Sequence, residues 1–245
     1  MEDNKNKISS GSSDLNRWLQ GGYDKDIITM IYGTAGSGKT NFCMMVTASQ
    51  AKKGNKVIFV DTEGGFSIER LRQLCGEETE KAMKNILLLK PTDFKEQDDS
   101  LTRLLKEIKT DSSIGLIVID GMTMLYRLEL AEARHENQEN IHSINSKLAR
   151  HMRILASIAR TRNIPLVVTN QVYSEFLSDE EIKTGKEKRL RPVGGDITGY
   201  WSKCIIELKN ERGKRTAVLN KHRSLKESEF DFEIVNEGVR KKGWL

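Results

Sequence analysis

Gly33-Thr34-Ala35-Gly36-Ser37-Gly38-Lys39-Thr40 is the stretch of this sequence best suited to chemistry. A glycine, four arbitrary residues and then Gly-Lys-Thr is the spacing of a loop whose backbone N–H groups curl inward around phosphate oxygens. The last two side chains supply what the backbone lacks. Lys39 can reach the outer phosphates of a triphosphate, and the Thr40 hydroxyl can ligate Mg²⁺. The flanks fit. Ile27-Ile28-Thr29-Met30-Ile31-Tyr32 reads as a buried strand, and a helical pattern starts at Thr40 with Phe42, Met45, Val46 and Ser49 or Gln50 at helical spacing. A helix beginning there adds the partial positive charge of its N-terminus. The expected ligand is a nucleoside triphosphate with Mg²⁺, held by Gly33, Thr34, Ala35, Gly36, Ser37, Gly38, Lys39, Thr40 and Asn41.

Three further polar residues fall at the ends of apolar runs. Asp120 closes Leu116-Ile117-Val118-Ile119-Asp120, where a carboxylate can hold Mg²⁺ together with Thr40. Glu63 follows Lys56-Val57-Ile58-Phe59-Val60 within Asp61-Thr62-Glu63, and a carboxylate there could orient an attacking water. The alternative for Glu63 is a capping acid before a helix near Ser67. Gln171 follows Val167-Val168-Thr169-Asn170, and its amide could bond a terminal phosphate and report its presence to the loop behind. A glutamine that only satisfies backbone groups at a strand end is the plainer possibility.

The elements that must position these groups can be read from periodicity. Strands alternate with helices, which puts a ligand at the carboxyl ends of the strands. A helix is expected near Ser67 to Leu74, a strand at Ile86–Leu89, a polar connection over Pro91–Asp99 and a helix from about Ser100 to Lys109. Ile114 to Ile119 is a near-continuous apolar strand, as in a parallel sheet covered on both faces. Ile141, Ile144, Leu148, Met152, Leu155 and Ala159 share one face of a long helix over 138–161. Cys204–Lys209, Thr216–Lys221 and Phe230–Val235 alternate like antiparallel strands. The fold class is therefore α/β: a P-loop NTPase core with a mostly parallel central sheet, helices on both faces and an antiparallel C-terminal extension. Met1–Gly22 is expected to be a short segment packing on a core of Tyr23–Leu245. Within it, Ser12 or Ser13 caps a helix whose Leu15, Trp18 and Leu19 point inward, while the first eight or so residues fray.

Composition narrows the class. Hydrophobic residues make up 37% and charged residues 31% of the 245, which supplies a core and argues against disorder. No apolar run reaches the ~18 residues of a membrane span, and Met1–Lys7 carries no secretory leader. Cys43, Cys75 and Cys204 form no metal-ligand pattern, and their odd number argues against a disulfide framework. A reducing cytoplasm and no membrane partner are expected.

Taken in order, several segments resemble the RecA-like recombinase family, and within it the archaeal recombinase paralogues. They are Ser10-Gly11-Ser12-Ser13-Asp14-Leu15 with Gly21-Gly22, the Gly33–Thr40 loop, Asp61-Thr62-Glu63-Gly64 with Glu69-Arg70, the strand ending at Asp120, Thr169-Asn170-Gln171-Val172, and Pro192-Val193-Gly194-Gly195-Asp196. The resemblance spans Ile8 to Gly238. It implies a RecA fold that binds ATP and Mg²⁺, coats DNA, and serves homologous recombination and repair. By position, Glu63 would activate water, Gln171 would sense the γ-phosphate, Gly194-Gly195 would close a second DNA-binding loop, and a first would lie near Tyr126–Asn137. Lys39, Glu63 and Gln171 are then the catalytic set.

The DNA-binding candidates follow from charge. Lys183, Lys186, Lys188, Arg189 and Arg191 face a single negative charge, Glu187, in the later part of a polar stretch between Val172 and Gly194. Such a loop suits sequence-tolerant contact with the phosphates of single or double strands. Arg127 and Arg134 are weaker candidates, since Glu129, Glu132 and Glu136 alternate with them and an exposed helix explains the pattern nearly as well. Arg240-Lys241-Lys242 reads as a solvated tail.

Departures from the recombinase pattern shape the expected activity. Only Met1–Tyr32 precede the loop, and no Phe occurs before Phe42, so the helical DNA-binding domain and the Phe-containing polymerisation tetrapeptide of the main recombinases are missing. Lys221-His222-Arg223 resembles the trans-acting cations of hexameric helicases and circadian-clock ATPases of the KaiC type; a basic hairpin end is the alternative. The expected protein is a DNA-dependent ATPase with slow turnover unless a neighbour in a homo-oligomer supplies Lys221 and Arg223. A main recombinase is a further expected partner. A KaiC-like signalling ATPase acting on proteins and a non-hydrolysing mediator that loads a recombinase stay open as alternatives.

Overall fold

The computed structural model describes residues 6–133, 138–174 and 190–243. In chain order the elements are β1 (Lys7–Ile8), α1 (Ser13–Trp18), β2 (Tyr23–Asp24), β3 (Ile28–Gly33), α2 (Lys39–Lys52), β4 (Lys56–Asp61), α3 (Ile68–Cys75), α4 (Thr79–Lys84) and β5 (Ile86–Leu89). Then come α5 (Phe94–Thr110), β6 (Ile114–Asp120), α6 (Met124–Ala133), α7 (Gln138–Arg162), β7 (Leu166–Asn170) and β8 (Val172–Ser174). The remainder is β9 (Leu190–Pro192), α8 (Gly195–Trp201), β10 (Ser202–Glu211), β11 (Lys214–Lys221), β12 (Ser228–Val235) and β13 (Gly238–Lys241).

Among the described residues one sheet has nine strands, ordered β13-β12-β11-β10-β3-β7-β6-β4-β5. From β10 through β5 neighbouring strands are parallel, and β11, β12 and β13 continue the sheet antiparallel. The two-residue period of a strand sends successive side chains to opposite faces, and both faces are apolar. Val57, Phe59, Leu116, Val118 and Val167 enter one core with α1, α2, α3 and α4. Ile58, Val60, Ile117, Ile119, Leu166 and Val168 enter the other with α5, α6 and α7. No described helix is long and apolar enough to cross a membrane.

Helix α2 is more buried than a one-sided pattern suggests. Phe42, Cys43, Met44, Met45, Val46, Thr47 and Ala48 are consecutive and all buried. The sheet lies on one side, and the turn of β12–β13 closes another, where Phe42 meets Phe232 edge-on with ring centres 5.3 Å apart. Each large side chain fully buried in this way contributes about 1.5–3 kcal/mol. The helix that follows the glycine loop is thereby fixed on several sides.

Four expectations need correction. Pro91–Asp99 is not a connection, because α5 starts at Phe94: Asp93 Oδ1 accepts from the Glu96 N–H at 2.7 Å, and the Glu96 carboxylate turns back to accept from the Thr92 N–H at 2.7 Å. That reciprocal capping starts the helix within a polar stretch. Lys7–Ile8 is not frayed but pairs with Tyr23–Asp24. Arg240 and Lys241 are not a tail; they belong to β13, and Arg240 Nε contacts Glu233 Oε1 at 2.6 Å. Tyr126 to Ala133 is helix α6 rather than loop, since Leu125, Tyr126 and Ala133 are buried at helical spacing. Ser12, not Ser13, caps α1; its Oγ accepts from the Leu15 N–H and donates to the Val239 carbonyl at 2.5 Å.

The α5–α7 contact supports the site from below and carries a pH-dependent stability. Gln97 on α5 is fully buried, and its Nε2 donates to the Met122 carbonyl at 3.0 Å, just beyond β6. Next to it, Asp98 is bonded by Arg150 and by His151 Nε2, at 2.6 and 2.7 Å. Burial works against ionising Asp98, but the Arg150 and His151 hydrogen bonds outweigh it and hold the carboxyl below its ordinary value. An acid with a depressed folded pKa contributes stability above its unfolded pKa near 4 and loses it as pH falls through the folded value. We expect Asp98→Asn to cost ~1 kcal/mol at pH 7, solvent contact included, and to flatten the stability loss between about pH 5 and 3. Urea unfolding across that range measures it.

Candidate functional site

The glycine loop joins β3 to α2 at the carboxyl edge of the sheet. A Cβ on Gly33 would lie 2.2 Å from the Leu208 carbonyl of neighbouring β10, so only glycine lets the strand end this close to its partner. Asn210, at the far end of β10, donates to the Gly36 carbonyl at 3.3 Å. Lys39 is buried to 7% relative exposure, and its Nζ donates to the Gly33 and Thr34 carbonyls at 3.0 Å each. Burial lowers its pKa, while the fields of Glu63 and Asp120 act in the opposite direction. Ser37 Oγ is buried with no hydrogen-bond partner among the protein atoms.

Asp120 and Thr40 meet across the mouth of the loop. Asp120 is 1% exposed; Oδ1 accepts from Thr169 Oγ1 at 2.6 Å, while Oδ2 has no partner. An ideal Cβ on Gly65 would sit 3.2 Å from Thr40 Oγ1 and 3.5 Å from Asp120 Oδ2, which places all three together. Burial raises the Asp120 pKa, hydrogen bonds from Thr169 and Thr40 oppose it, and Glu63 and Asp61 add to the rise. Among the described residues no group of three or more His, Cys, Asp or Glu could hold a metal alone. A hydroxyl and one buried carboxylate oxygen instead suit Mg²⁺, a hard cation that takes its other ligands from water and phosphate. The residues present fit Mg²⁺ and a triphosphate.

Asp61 was not legible as a site residue, and it organises the third wall. It faces Asp120 in register across β4 and β6 and is 2% exposed. Its Oδ1 accepts from the Glu63 and Gly65 N–H groups at 3.3 and 3.0 Å, and Oδ2 from the Phe66 N–H at 3.0 Å. Asp61, not Glu63, therefore satisfies the backbone ahead of α3, and Ser67 caps that helix. Thr62 Oγ1 reaches the Asp120 and Gly121 carbonyls at 3.0 and 2.8 Å, tying the same loop to the end of β6. Gly121 has φ of 91°, and a Cβ there would fall 2.3 Å from Thr62 Oγ1 and 2.8 Å from Glu63 Cγ. Glu63 is thus laid over Gly121 with its carboxylate outward, where Gln171 Nε2 donates to Oε1 at 3.1 Å.

Beyond β7 the chain turns into a ribbon. Val172–Ser174 pairs antiparallel with Leu190–Pro192, Tyr173 opposite Arg191. Buried Asn170 anchors its base: Nδ2 donates to the Val193 carbonyl at 2.7 Å, and Oδ1 accepts from Thr123 Oγ1. The Val193 N–H returns to the Gln171 carbonyl at 2.9 Å. Gly194 and Gly195 follow with φ of 76° and 41° and open α8. Of the basic candidates, Arg191 lies on this ribbon and Arg127 is exposed on α6; Lys183, Lys186, Lys188, Arg189 and Arg134 lie outside the described residues.

Lys221 and Arg223 stand elsewhere. Lys221 pairs with Ile205, near the amino-terminal edge of the parallel strands, away from the glycine loop of the same chain. Its Nζ donates to the Gly199 carbonyl at 3.0 Å. Arg223 contacts Asp26 at 2.9 Å and Asp24 at 3.5 Å, beside an Asp24–His222 contact of 2.8 Å. Sequence reasoning had no means of finding these acidic partners, which lie nearly the whole chain away.

Comparison with known proteins agrees with this architecture. The Rad51 family model matches residues 3–242. The DNA repair and recombination protein RadB of Methanobrevibacter smithii is 39% identical, with 98% of this chain and 97% of that protein covered. RadB of Methanococcoides burtonii is 37% identical, with 98% and 100% covered. A solved structure described as the crystal structure of the RadB recombinase superposes with a TM-score of 0.75 at 34% identity, covering 96% of this chain and all of that one. With matches that run this completely from one end to the other, the chain belongs to the Rad51/RecA family.

Proposed function

We propose that this chain is a recombinase paralogue that binds ATP with Mg²⁺ on the Gly33–Asn41 loop, hydrolyses it slowly, and uses the terminal phosphate to control a grip on DNA in recombination and repair. One observation carries this: the ends of β3, β4, β6 and β7 bring Lys39, Glu63, Asp120 and Gln171 into one cleft edge, with Glu63 and Gln171 hydrogen-bonded across 108 positions of sequence. Bound Mg²⁺ would supply charge neutralisation and orientation of the phosphates. Thr40 and Asp120 would hold it, and Lys39 would stabilise charge developing on the transferred phosphoryl group. Glu63 would accept a proton from the attacking water, being the exposed carboxylate of the cluster. Gln171 would link that event to the β8–β9 ribbon, whose basic continuation would contact phosphates. Lys221 and Arg223, far from their own loop, would serve the nucleotide of a second copy.

Fluorescence anisotropy with an oligo-dT strand tests the coupling. Affinity is expected to be about tenfold higher with a non-hydrolysable ATP analogue than with ADP or no nucleotide, and to fall steeply with salt. Equal affinity in all three states would sink the coupling. Absence of any DNA binding would favour a signalling ATPase whose partners are proteins.

A further inference from the structure

The contact between Gln171 and Glu63 is more than proximity. Glu63 is constrained from three directions: its N–H by Asp61, its preceding residue by the Thr62 bonds to the end of β6, and its side chain by the surface of Gly121. The remaining freedom is the direction of the carboxylate, and Gln171 Nε2 takes one of its oxygens at 3.1 Å. Gln171 is in turn bonded through its backbone carbonyl to Val193, where the β8–β9 ribbon closes. The same residue therefore grips the proposed water-activating group at one end and the base of the ribbon at the other. An amide nitrogen drawn to another acceptor must leave the carboxylate it holds.

We infer that the Gln171–Glu63 hydrogen bond is a restraining latch, which holds the Glu63 carboxylate away from the attacking water until nucleic acid on the β8–β9 ribbon draws Gln171 off. The inference rests on the ATPase function proposed above and adds its regulation. Gln171 acts as a positioning residue, and its effect is inhibitory in the resting state. The sign matters: if Gln171 served only to help the chemistry, removing its amide could only slow turnover.

Gln171→Met keeps length and removes the donor. In the full chain without DNA, its hydrolysis rate is expected to rise about three- to tenfold, the population shift from losing one solvent-facing hydrogen bond. Oligo-dT should then add little, and KM for ATP should stay unchanged. The increase should vanish in the Glu63→Gln background. A second readout needs no nucleotide: amide hydrogen exchange over 62–66 should accelerate about threefold or more in Gln171→Met. A DNA-free rate that falls or stays the same overturns the latch, as does an increase that survives Glu63→Gln or unchanged exchange. Gln171→Leu, with the same expectations, replaces the methionine variant if that one fails to fold. Lys39→Ala separates the two levels. Turnover undiminished by Lys39→Ala defeats the ATPase proposal itself, whereas turnover lost there but not raised by Gln171→Met defeats only the latch.

Discussion

Lys39→Ala is expected to lower ATP hydrolysis by about a hundredfold or more and to weaken ATP binding at least about tenfold, with the fold intact. The loss follows from what Lys39 touches. Its ammonium is buried, and its printed partners are two carbonyls of its own loop, Gly33 and Thr34. A buried charge bonded to neutral acceptors is a poor structural device, because desolvation costs more than such bonds return. The position makes sense as one end of an interaction with a polyanion at the loop. Removing it should therefore leave the unfolding midpoint within about 1 kcal/mol of the parent while nucleotide affinity collapses. Calorimetric titration of ATP alongside urea unfolding reads both. A large loss of stability with ATP affinity retained would mean that Lys39 braces the loop instead.

What could be read in advance divides by sequence distance. The glycine loop, the strand before it and the helix after it lie within one short segment, so their spacing alone announces them. Asp120 and Glu63 were visible because an apolar strand that ends in an acid is a local pattern. Asp61 sits in the same pattern as Glu63, yet its inward orientation and three backbone partners exist only once the chain turns over it. Thr169 and Gly121 were invisible as site residues for the same reason: one bonds Asp120 from 49 positions away, and the other is required by the side chains of Thr62 and Glu63. The early start of α5 is a different kind of miss. Asp93 and Glu96 carry a capping signal, but the charged run after them hides the buried Gln97 that anchors the helix. In α6 the acidic and basic residues drew attention to a loop, while Leu125, Tyr126 and Ala133 recorded the helix. The RecA-type sheet with helices on both faces and an antiparallel extension was accessible; the order of its strands depends on contacts that no local pattern encodes.

Asp120→Asn should separate function from stability in opposite directions. Asp120 is nearly wholly buried, one of its oxygens has no protein partner, and the nearest other acids are Asp61 and Glu63. Burial first, then those two charges, push its pKa up against the Thr169 and Thr40 hydrogen bonds. An acid whose folded pKa is raised binds its proton more tightly when folded, so its ionised form costs stability at neutral pH. Asparagine keeps the shape and can still accept from Thr169, but it removes the charge. The variant is therefore expected to be as stable as the parent or up to about 1 kcal/mol more stable at pH 7 without Mg²⁺. Mg²⁺-dependent hydrolysis should fall by about a hundredfold or more, since a neutral amide is a poor ligand for a hard dication. Unfolding curves with and without Mg²⁺ and ATP give the decisive comparison: the parent should gain stability from the pair by mass action, and the variant should gain far less. If Asp120→Asn instead loosens the protein while keeping full Mg²⁺-dependent turnover, the carboxylate serves to hold Thr169 and the end of β6 in place, and the proposed metal site is wrong.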